Sequence, residues 1–246
     1  MNITQLKQKI KKNETFGPLI TWLYFHIYPI GIYKLISRKQ RIKRMHKNGN
    51  ELIHEFTTLC DKASLKVFLF WGTLLGAIRE HDFIPHDEDM DFGVFSEADL
   101  KTIKNIIKGT KFSIVCEYHL CGSGIKELKL SYKKTTFDIF LIEKSASSEE
   151  YFSCCYINEK RIKRNIFICD TTKYFFPKFS LTKISFKDKP VFIPKQYKDI
   201  LTAVYGTDYM TPNKKHISGS KVSHKEYISF INNPIFQIKN LKQRTE

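Results

Sequence analysis

Short apolar runs separated by polar turns dominate the middle of the chain. Residues 67–71 (VFLFW), 92–95 (FGVF) and 136–142 (TFDIFLI) are nearly continuous apolar runs, as expected for strands buried on both faces. Residues 112–118 (FSIVCEY) and 125–133 (IKELKLSYK) are short alternating or apolar runs, which are typical of further strands. The pattern therefore predicts a sheet formed by the middle of the chain.

Helical patterns flank these strands. We predict helices over residues 3–48 and 50–65 before the first strand, a helix over 97–108, and a final helix over 195–205. Residues 145–150 (SASSEE) predict a disordered turn that leads into further short strands. The elements thus change from helical to mainly extended along the chain.

The length supports one main domain with additions at both ends. The chain has 246 residues, of which 42% are hydrophobic, enough to bury a core of ordinary size. We place the main domain at residues 49–235, after a basic and aromatic helical segment at 1–48 and before a basic tail at 236–246.

The charge balance restricts the kinds of partner. Lysine and arginine number 41 against 25 acidic residues, a net charge of +16, which attracts anionic surfaces such as phospholipid or lipopolysaccharide. The basic runs lie mainly at residues 35–47, at 160–164 and in the tail. No nucleic-acid-binding motif accompanies them, so we expect no nucleic-acid partner.

Residues 16–36 are strongly apolar and aromatic, but Pro18, Pro29, Gly31 and Lys34 interrupt them. A membrane-spanning helix is normally a longer uninterrupted apolar run. Two interpretations remain open: an interfacial segment that enters the headgroup layer of a membrane, and a hairpin of helices packed on the main domain.

The cysteines favour a reducing compartment. Six are present, without a C-x-x-C pair or the spacing of a zinc site. The apolar run near the N-terminus starts late and lacks a small-residue cleavage site, so we expect no cleavable signal peptide. We therefore predict a cytoplasmic protein, with peripheral contact to the inner face of the membrane if residues 16–36 are interfacial.

Three aspartates occupy every second position in front of an apolar strand. In an extended chain Asp87, Asp89 and Asp91 would share one face. Crowded carboxylates repel each other unless a cation neutralises them, and hard oxygen ligands suit Mg²⁺ or Mn²⁺. A solvated acidic turn without a ligand is the alternative.

The surroundings favour the metal site. Gly72 and Thr73 follow the strand at 67–71 directly, where backbone amides at a helix start can meet phosphate oxygens. Asp138 is the one carboxylate within the apolar run at 136–142, and a buried charge needs a partner. Asp138 either pairs with a basic residue or joins the same cleft as a third metal ligand or general base.

Three ordered blocks carry a resemblance to a known family. Residues 70–94 (FWGTLLGAIREHDFIPHDEDMDFGV), 136–142 (TFDIFLI) and 191–212 (VFIPKQYKDILTAVYGTDYMTP) resemble motifs of the LicD family of phosphotransferases. That family includes phosphocholine transferases and, more distantly, fukutin-related ribitol-phosphate transferases. The resemblance implies an α+β fold, with a nucleotidyltransferase-like mixed sheet flanked by helices and with helical N-terminal and C-terminal additions.

The resemblance also implies catalytic roles. Asp89 and Asp91 match the family's carboxylate pair that binds the metal bridging the phosphates of the donor, and Asp87 assists as a further ligand. Asp138 completes the site as a metal ligand or as the base that takes the proton of the attacking hydroxyl. The expected cofactor is Mg²⁺ or Mn²⁺.

Substrate contacts are expected at the helix that follows the first strand. The resemblance implies that Gly72 and Thr73 hold a donor phosphate through the backbone and the hydroxyl. Arg79 lies one or two turns further on, where its planar guanidinium could pair with a phosphate. A surface arginine is the alternative at this position. Tyr205 and Gly206 are expected to be structural, since a glycine commonly ends a helix.

Three functions are compatible with these residues. The resemblance implies metal-dependent transfer of a phosphocholine-like phospho-alcohol from a CDP-linked donor to a hydroxyl of a cell-surface glycan, a lipid-linked saccharide or lipopolysaccharide, with release of CMP. A nucleotidyltransferase that acts on a small molecule or a protein and releases pyrophosphate would use the same aspartates. A binding protein without catalysis would not need the carboxylates, which are present.

Overall fold

The computed structural model describes residues 30–120, 124–163, 166–213, 221–222, 224–228 and 235–239. The chain divides into two compact units, residues 1–43 and residues 44–246. Most of the segment predicted to be interfacial or hairpin-forming, 16–36, lies outside the described residues, and so does the tail from residue 240.

Helices and strands alternate in the first half of the chain, and strands prevail afterwards. The described helices are α1 (Ile30–Lys62), α2 (Trp71–Arg79), α3 (Glu97–Ile106) and α4 (Tyr197–Tyr205). The described strands are β1 (Phe68–Leu69), β2 (Met90–Val94), β3 (Phe112–Leu120), β4 (Gly124–Tyr132), β5 (Thr135–Leu141), β6 (Glu143–Lys144), β7 (Tyr151–Lys163), β8 (Ile166–Phe176), β9 (Leu181–Phe186), β10 (Lys189–Pro194), β11 (Lys225–Ile228) and β12 (Ile235–Lys239).

All of these strands belong to one mixed sheet. Its order is β6-β7-β8-β12-β3-β4-β5-β2-β1-β10-β9, and β11 pairs with β8. The pairs β2–β5 and β1–β10 are parallel, whereas the other pairs are antiparallel. The predicted α+β fold with a mixed sheet and flanking helices is therefore confirmed.

A tight turn fixes the register between β4 and β5. Its two residues, Lys133 and Lys134, have φ angles of 48° and 65°, in the left-handed region that a two-residue hairpin turn with the favoured twist requires. Lys133 also forms an ion pair of 2.6 Å with Glu51 of α1. The turn places Lys129 directly opposite Asp138, a pairing that matters for the site.

The second half of α1 packs against the sheet and forms the centre of the core. Phe56 is fully buried, and its ring centroid lies 5.2 Å from that of Phe92 on β2 and 5.0 Å from that of Phe137 on β5. These contacts hold β2 and β5 from the apolar side. The polar side chains of the two strands, Asp91 and Asp138, therefore project from the opposite face of the sheet.

The predicted break between two N-terminal helices is wrong. One helix runs from Ile30 to Lys62, through the Gly49-Asn50 pair. A Cβ atom at Gly49 would lie 2.7 Å from the side chains of Met90 and Phe83. The glycine therefore serves close packing of the helix on the domain, and this tertiary contact outweighs its low helix propensity.

Two further expectations change in the second half of the chain. Residues 145–150 form a closed turn rather than a disordered one, because the backbone N–H of Ser145 donates to the carbonyl of Glu150 at 2.8 Å. After α4, the described part of the C-terminal addition consists of β11 and β12, so the addition is not purely helical.

Among the described residues, no helix combines the length and apolar character needed to cross a membrane.

Candidate active site

The start of α2 is bound to β2 through Asp91. The N–H of Gly72 donates to Asp91 Oδ2 at 3.1 Å, and the N–H of Asp91 donates to Thr73 Oγ1 at 2.8 Å. Residue Phe70, which precedes the helix, has no side-chain capping bond. The carboxylate of Asp91 thus caps the helix from a neighbouring strand, where the helix dipole favours negative charge.

The first residue of α2 has an uncommon backbone conformation. Trp71 has a φ of 41°, which costs energy for a residue with a Cβ atom. Its ring is held by edge contacts with Phe140, Tyr174 and Phe176 at centroid distances of 6.1, 5.7 and 5.3 Å. This aromatic packing stabilises the sharp strand-to-helix turn that brings the Gly72 amide to Asp91.

Two carboxylates converge on Gly72. A Cβ atom at this position would lie 3.2 Å from Asp87 Oδ2 and 3.4 Å from Asp91 Oδ2. Both carboxylates therefore face the N-terminus of α2, and glycine leaves the space between them open. The strand itself begins only at Met90, and the N–H of Asp87 donates to the carbonyl of Ile84 at 3.0 Å. Asp87 thus reaches the site through a turn and not through strand alternation.

Asp138 lies beside Asp91. The two residues are register partners on the parallel strands β2 and β5, so their side chains project from the same face of the sheet. Lys129, the partner of Asp138 on β4, donates from Nζ to Asp138 Oδ2 at 2.6 Å. The other oxygen, Oδ1, is buried and has no hydrogen-bond partner among the described residues.

The proximity of these carboxylates affects their pKa values. Burial, followed by the charges of Asp89, Asp138 and Asp87, raises the pKa of Asp91 well above its usual range. Burial likewise raises the pKa of Asp138, although Lys129 acts in the opposite direction. A cluster of this kind is stabilised by protons or cations.

Asp87 is affected in a similar way. Burial is the largest cause that raises its pKa, to about 7, and the charge of Asp89 adds to it while Arg79 lowers it. Asp89 therefore lies near both Asp87 and Asp91. The four predicted metal ligands, Asp87, Asp89, Asp91 and Asp138, thus interact electrostatically with one another.

Arg79 is not the surface residue that one interpretation allowed. Its side chain is only 9% exposed. Its Nε donates to Glu80 Oε1 at 2.7 Å, and its Nη1 donates to the carbonyl of Tyr209 at 3.1 Å. Arg79 thus connects α2 to the segment after α4 while lying near Asp87, and a contact with a donor phosphate stays a prediction.

Two residues near the site, Lys129 and Glu127, are not among the candidates from the sequence, and Tyr205 was expected only to be structural. Lys129 pairs with Asp138, and Glu127 is buried two residues earlier on the same face of β4. Burial, followed by the charges of Asp91 and Asp87, raises the pKa of Tyr205 well above its usual range, so this tyrosine also borders the cluster. Alternation along residues 125–133 would have indicated that Glu127 and Lys129 share a face, but not which strand they face.

The donor set is compatible with a hard divalent cation. The cluster offers carboxylate oxygens, which Mg²⁺ and Mn²⁺ prefer, and Asp138 Oδ1 is a buried acceptor without a partner in the described part of the chain. Within those same residues, no three Asp, Glu, His or Cys side chains are gathered closely enough to hold a metal ion by themselves.

The fold and the site together define a class of protein: an α+β domain with a cluster of aspartates at the start of a helix. A family model described as "LicD/FKTN/FKRP, nucleotidyltransferase domain" matches residues 64–196, more than half of the chain. The chain therefore belongs to the LicD/FKTN/FKRP family and carries a transferase domain of the nucleotidyltransferase type. The predicted membership of the LicD family is therefore confirmed.

Individual relatives match over parts of their length. The chain is 29% identical over 129 residues to the uncharacterized protein RP689 of Rickettsia prowazekii, covering 50% of this chain and 40% of that protein. It is 26% identical over 171 residues to the human ribitol-5-phosphate transferase FKTN, and this match covers 68% of this chain and 34% of that protein. The chain thus spans about two fifths or less of the length of these relatives.

Among solved structures, the antibiotic-resistance factor ANT(2'')-Ia is similar with a TM-score of 0.40 and 14% sequence identity. The match covers 72% of this chain and 79% of that chain.

Proposed function

We propose that this protein transfers a phospho-alcohol group from a CDP-linked alcohol to a hydroxyl of a glycan or lipid-linked saccharide and releases CMP. The observation that carries the proposal is the side-by-side position of Asp91 and Asp138 on β2 and β5, next to the N-terminus of α2. Similarity to a ribitol-5-phosphate transferase supports the phospho-alcohol as the transferred group.

The reaction needs little covalent chemistry from the protein. The oxygen of an acceptor hydroxyl attacks the distal phosphorus of the donor, and the bond between that phosphorus and the oxygen of CMP breaks. The proton of the hydroxyl passes to a base or to water, and a phosphodiester remains. The residues of the site therefore act by positioning and by electrostatic stabilisation.

We assign the cation to Asp89, Asp91 and Asp138, with Asp87 as a further ligand. A bound Mg²⁺ or Mn²⁺ would neutralise charge on the phosphoryl oxygens. Asp138 offers Oδ1 for this purpose, because its Oδ2 accepts a hydrogen bond from Lys129. The Gly72 amide already bonds a carboxylate oxygen, and the same helix start suits an oxygen of the donor phosphate.

The net charge of +16 supports an anionic acceptor or one embedded in an anionic surface. A phosphorylated or lipid-linked glycan has this property. Peripheral contact with such a surface would place the acceptor hydroxyl close to the site, and we include it in the proposal.

The test is CMP release from a panel of CDP-linked alcohols with Mg²⁺ or Mn²⁺ and a glycan extract. We expect one donor to be used, and we expect Asp89→Ala and Asp138→Ala to reduce release by at least about a hundredfold. Asp61→Ala is the matched control, because Asp61 is an exposed aspartate at the end of α1. Release of pyrophosphate from a nucleoside triphosphate, with no use of CDP-alcohols, would instead establish nucleotidyl transfer.

A further inference from the structure

Lys129 is a basic side chain in direct contact with the carboxylate cluster. Its Nζ lies 2.6 Å from Asp138 Oδ2, and the exposed fractions of the two side chains are 28% and 8%. The Lys129 side chain is thus partly exposed, whereas its partner is buried. A buried carboxylate of this kind depends on its counter-charge.

The surroundings of Lys129 are strongly negative. Glu127 lies two residues earlier on the same face of β4, and Asp89 and Glu127 both act electrostatically on the Lys129 ammonium, in addition to Asp138. Asp91 lies on the strand beside Asp138. One ammonium therefore compensates several carboxylates, which is the role that the proposed function gives to a divalent cation.

We propose that Lys129 is a positioning residue that acts as the built-in counter-cation of the cluster: its ammonium holds the carboxylate of Asp138 through Oδ2, and its charge opposes the binding of a divalent cation at Oδ1. The inference rests on the proposed function, because it takes the metal site as given. Beyond that function, we infer that the positive charge of Lys129 limits the affinity of the site for the metal.

A physical consequence distinguishes this role from simple fold stabilisation. A unit positive charge a few ångströms from a bound cation opposes its binding, by more than about 1 kcal/mol even with strong screening. Removal of the Lys129 charge should therefore strengthen metal binding. Loss of a purely structural ion pair would weaken metal binding or leave it unchanged.

The test compares Lys129→Gln with Lys126→Gln. Each variant is titrated with Mn²⁺ in the absence of any donor, and calorimetry measures the affinity for the metal. Glutamine can still donate a hydrogen bond to Asp138 but has no charge. Lys126 is the matched control, since it is also on β4, is buried and forms a 2.7 Å ion pair with Glu143, away from the aspartates. We expect Lys129→Gln to bind Mn²⁺ at least about tenfold more tightly, and Lys126→Gln to bind like the native chain.

Lys129→Arg retains the charge and should keep the native affinity for Mn²⁺. If Lys129→Gln alone unfolds, the variant Lys129→Gln/Asp138→Asn tests the counter-charge role, because it removes the carboxylate together with its partner. Without metal it should unfold at a higher temperature than Lys129→Gln, and an equal or lower unfolding temperature would overturn the inference. Equal Mn²⁺ affinity of native chain and Lys129→Gln would overturn the inference while leaving the proposed function in place. Failure of every variant and of the native chain to bind Mn²⁺ would overturn the metal site itself.

Discussion

Gly72 and Asp91 are joined by a hydrogen bond of 3.1 Å from the backbone N–H of the glycine to Oδ2 of the aspartate. Because Asp91 also bonds Thr73 through its own N–H, the helix start and the acidic strand form one rigid unit. The geometry of the carboxylate cluster therefore depends on the absence of a side chain at residue 72.

Gly72→Ala tests this dependence. The added Cβ atom would lie 3.2 Å from Asp87 Oδ2 and 3.4 Å from Asp91 Oδ2, so the carboxylates must move by a few tenths of an ångström. We expect weaker Mn²⁺ binding and a loss of transfer activity of about tenfold or more. The gain in helix propensity, up to about 1 kcal/mol, should keep the unfolding temperature near that of the native chain. Native Mn²⁺ affinity in a folded variant would contradict the prediction.

The stability of the metal-free protein should fall as the pH rises. The pKa of Asp87 is raised by burial from an ordinary value near 3.8 to about 7, so between these values the folded state binds more protons than the unfolded chain. The free energy of unfolding then decreases with rising pH, with a slope of up to about 1.4 kcal/mol per pH unit for each such group.

Chemical unfolding in EDTA at pH 5 to 8 measures this slope. Asp87→Asn should reduce it and should be more stable than the native chain at pH 8, because asparagine cannot ionise. Mn²⁺ should also reduce the slope, since a cation stabilises the ionised cluster. Asp61→Asn, at an exposed position, should leave the slope unchanged. A native chain whose stability is constant across this range would argue against the cluster.

Arg79→Ala should lower the free energy of unfolding and should have a smaller effect on the free energy of donor binding. The change removes charge-assisted hydrogen bonds to Glu80 and to the carbonyl of Tyr209 from a side chain that is only 9% exposed. We expect a loss of about 1.5–3 kcal/mol in the free energy of unfolding, measured in urea. Glu80→Ala, which removes one of the two partners, should cost less. A variant of native stability whose KM for the donor rises a hundredfold would identify Arg79 as a phosphate ligand instead.

Gly93→Ala should destabilise the core without touching the carboxylates directly. A Cβ atom at Gly93 would overlap the ring of Phe68 on the neighbouring strand β1. Overpacking of this kind costs about 1–3 kcal/mol, which urea unfolding can measure. Phe68→Leu in combination with Gly93→Ala should recover part of the loss, because it removes the overlapping atoms. Additive losses in the double variant would show that the contact with Phe68 is not the cause.

Local patterns predicted much of the fold correctly. The apolar runs at residues 67–71, 112–118 and 136–142 all contain or overlap observed strands, and the helix predicted over residues 97–108 is α3. These elements have a clear hydrophobic period and flanking turn residues, which act over short stretches of chain. The sequence also identified Gly72, Asp87 and Asp91, which the structure brings together, because these residues are close along the chain.

Contacts between residues that are distant in sequence explain why some elements were predicted wrongly or not predicted. A sequence rule treats Gly49 as a helix breaker, but the close approach of Met90 and Phe83 makes a small residue necessary within the continuous helix α1. The tight turn at Lys133 and Lys134 was equally hard to foresee, because neither residue is a usual choice for positive φ angles.

The sequence by itself determined the family, the order of the central elements and the carboxylates available for a metal. Only the tertiary structure decided which charged side chains lie next to each other. The turn at Lys133 and Lys134 sets Lys129 opposite Asp138, and the parallel pairing of β2 with β5 sets Asp138 beside Asp91. A shift of one residue in either register would turn these side chains to the other face of the sheet, and pairing of distant strands depends on packing that no local pattern encodes.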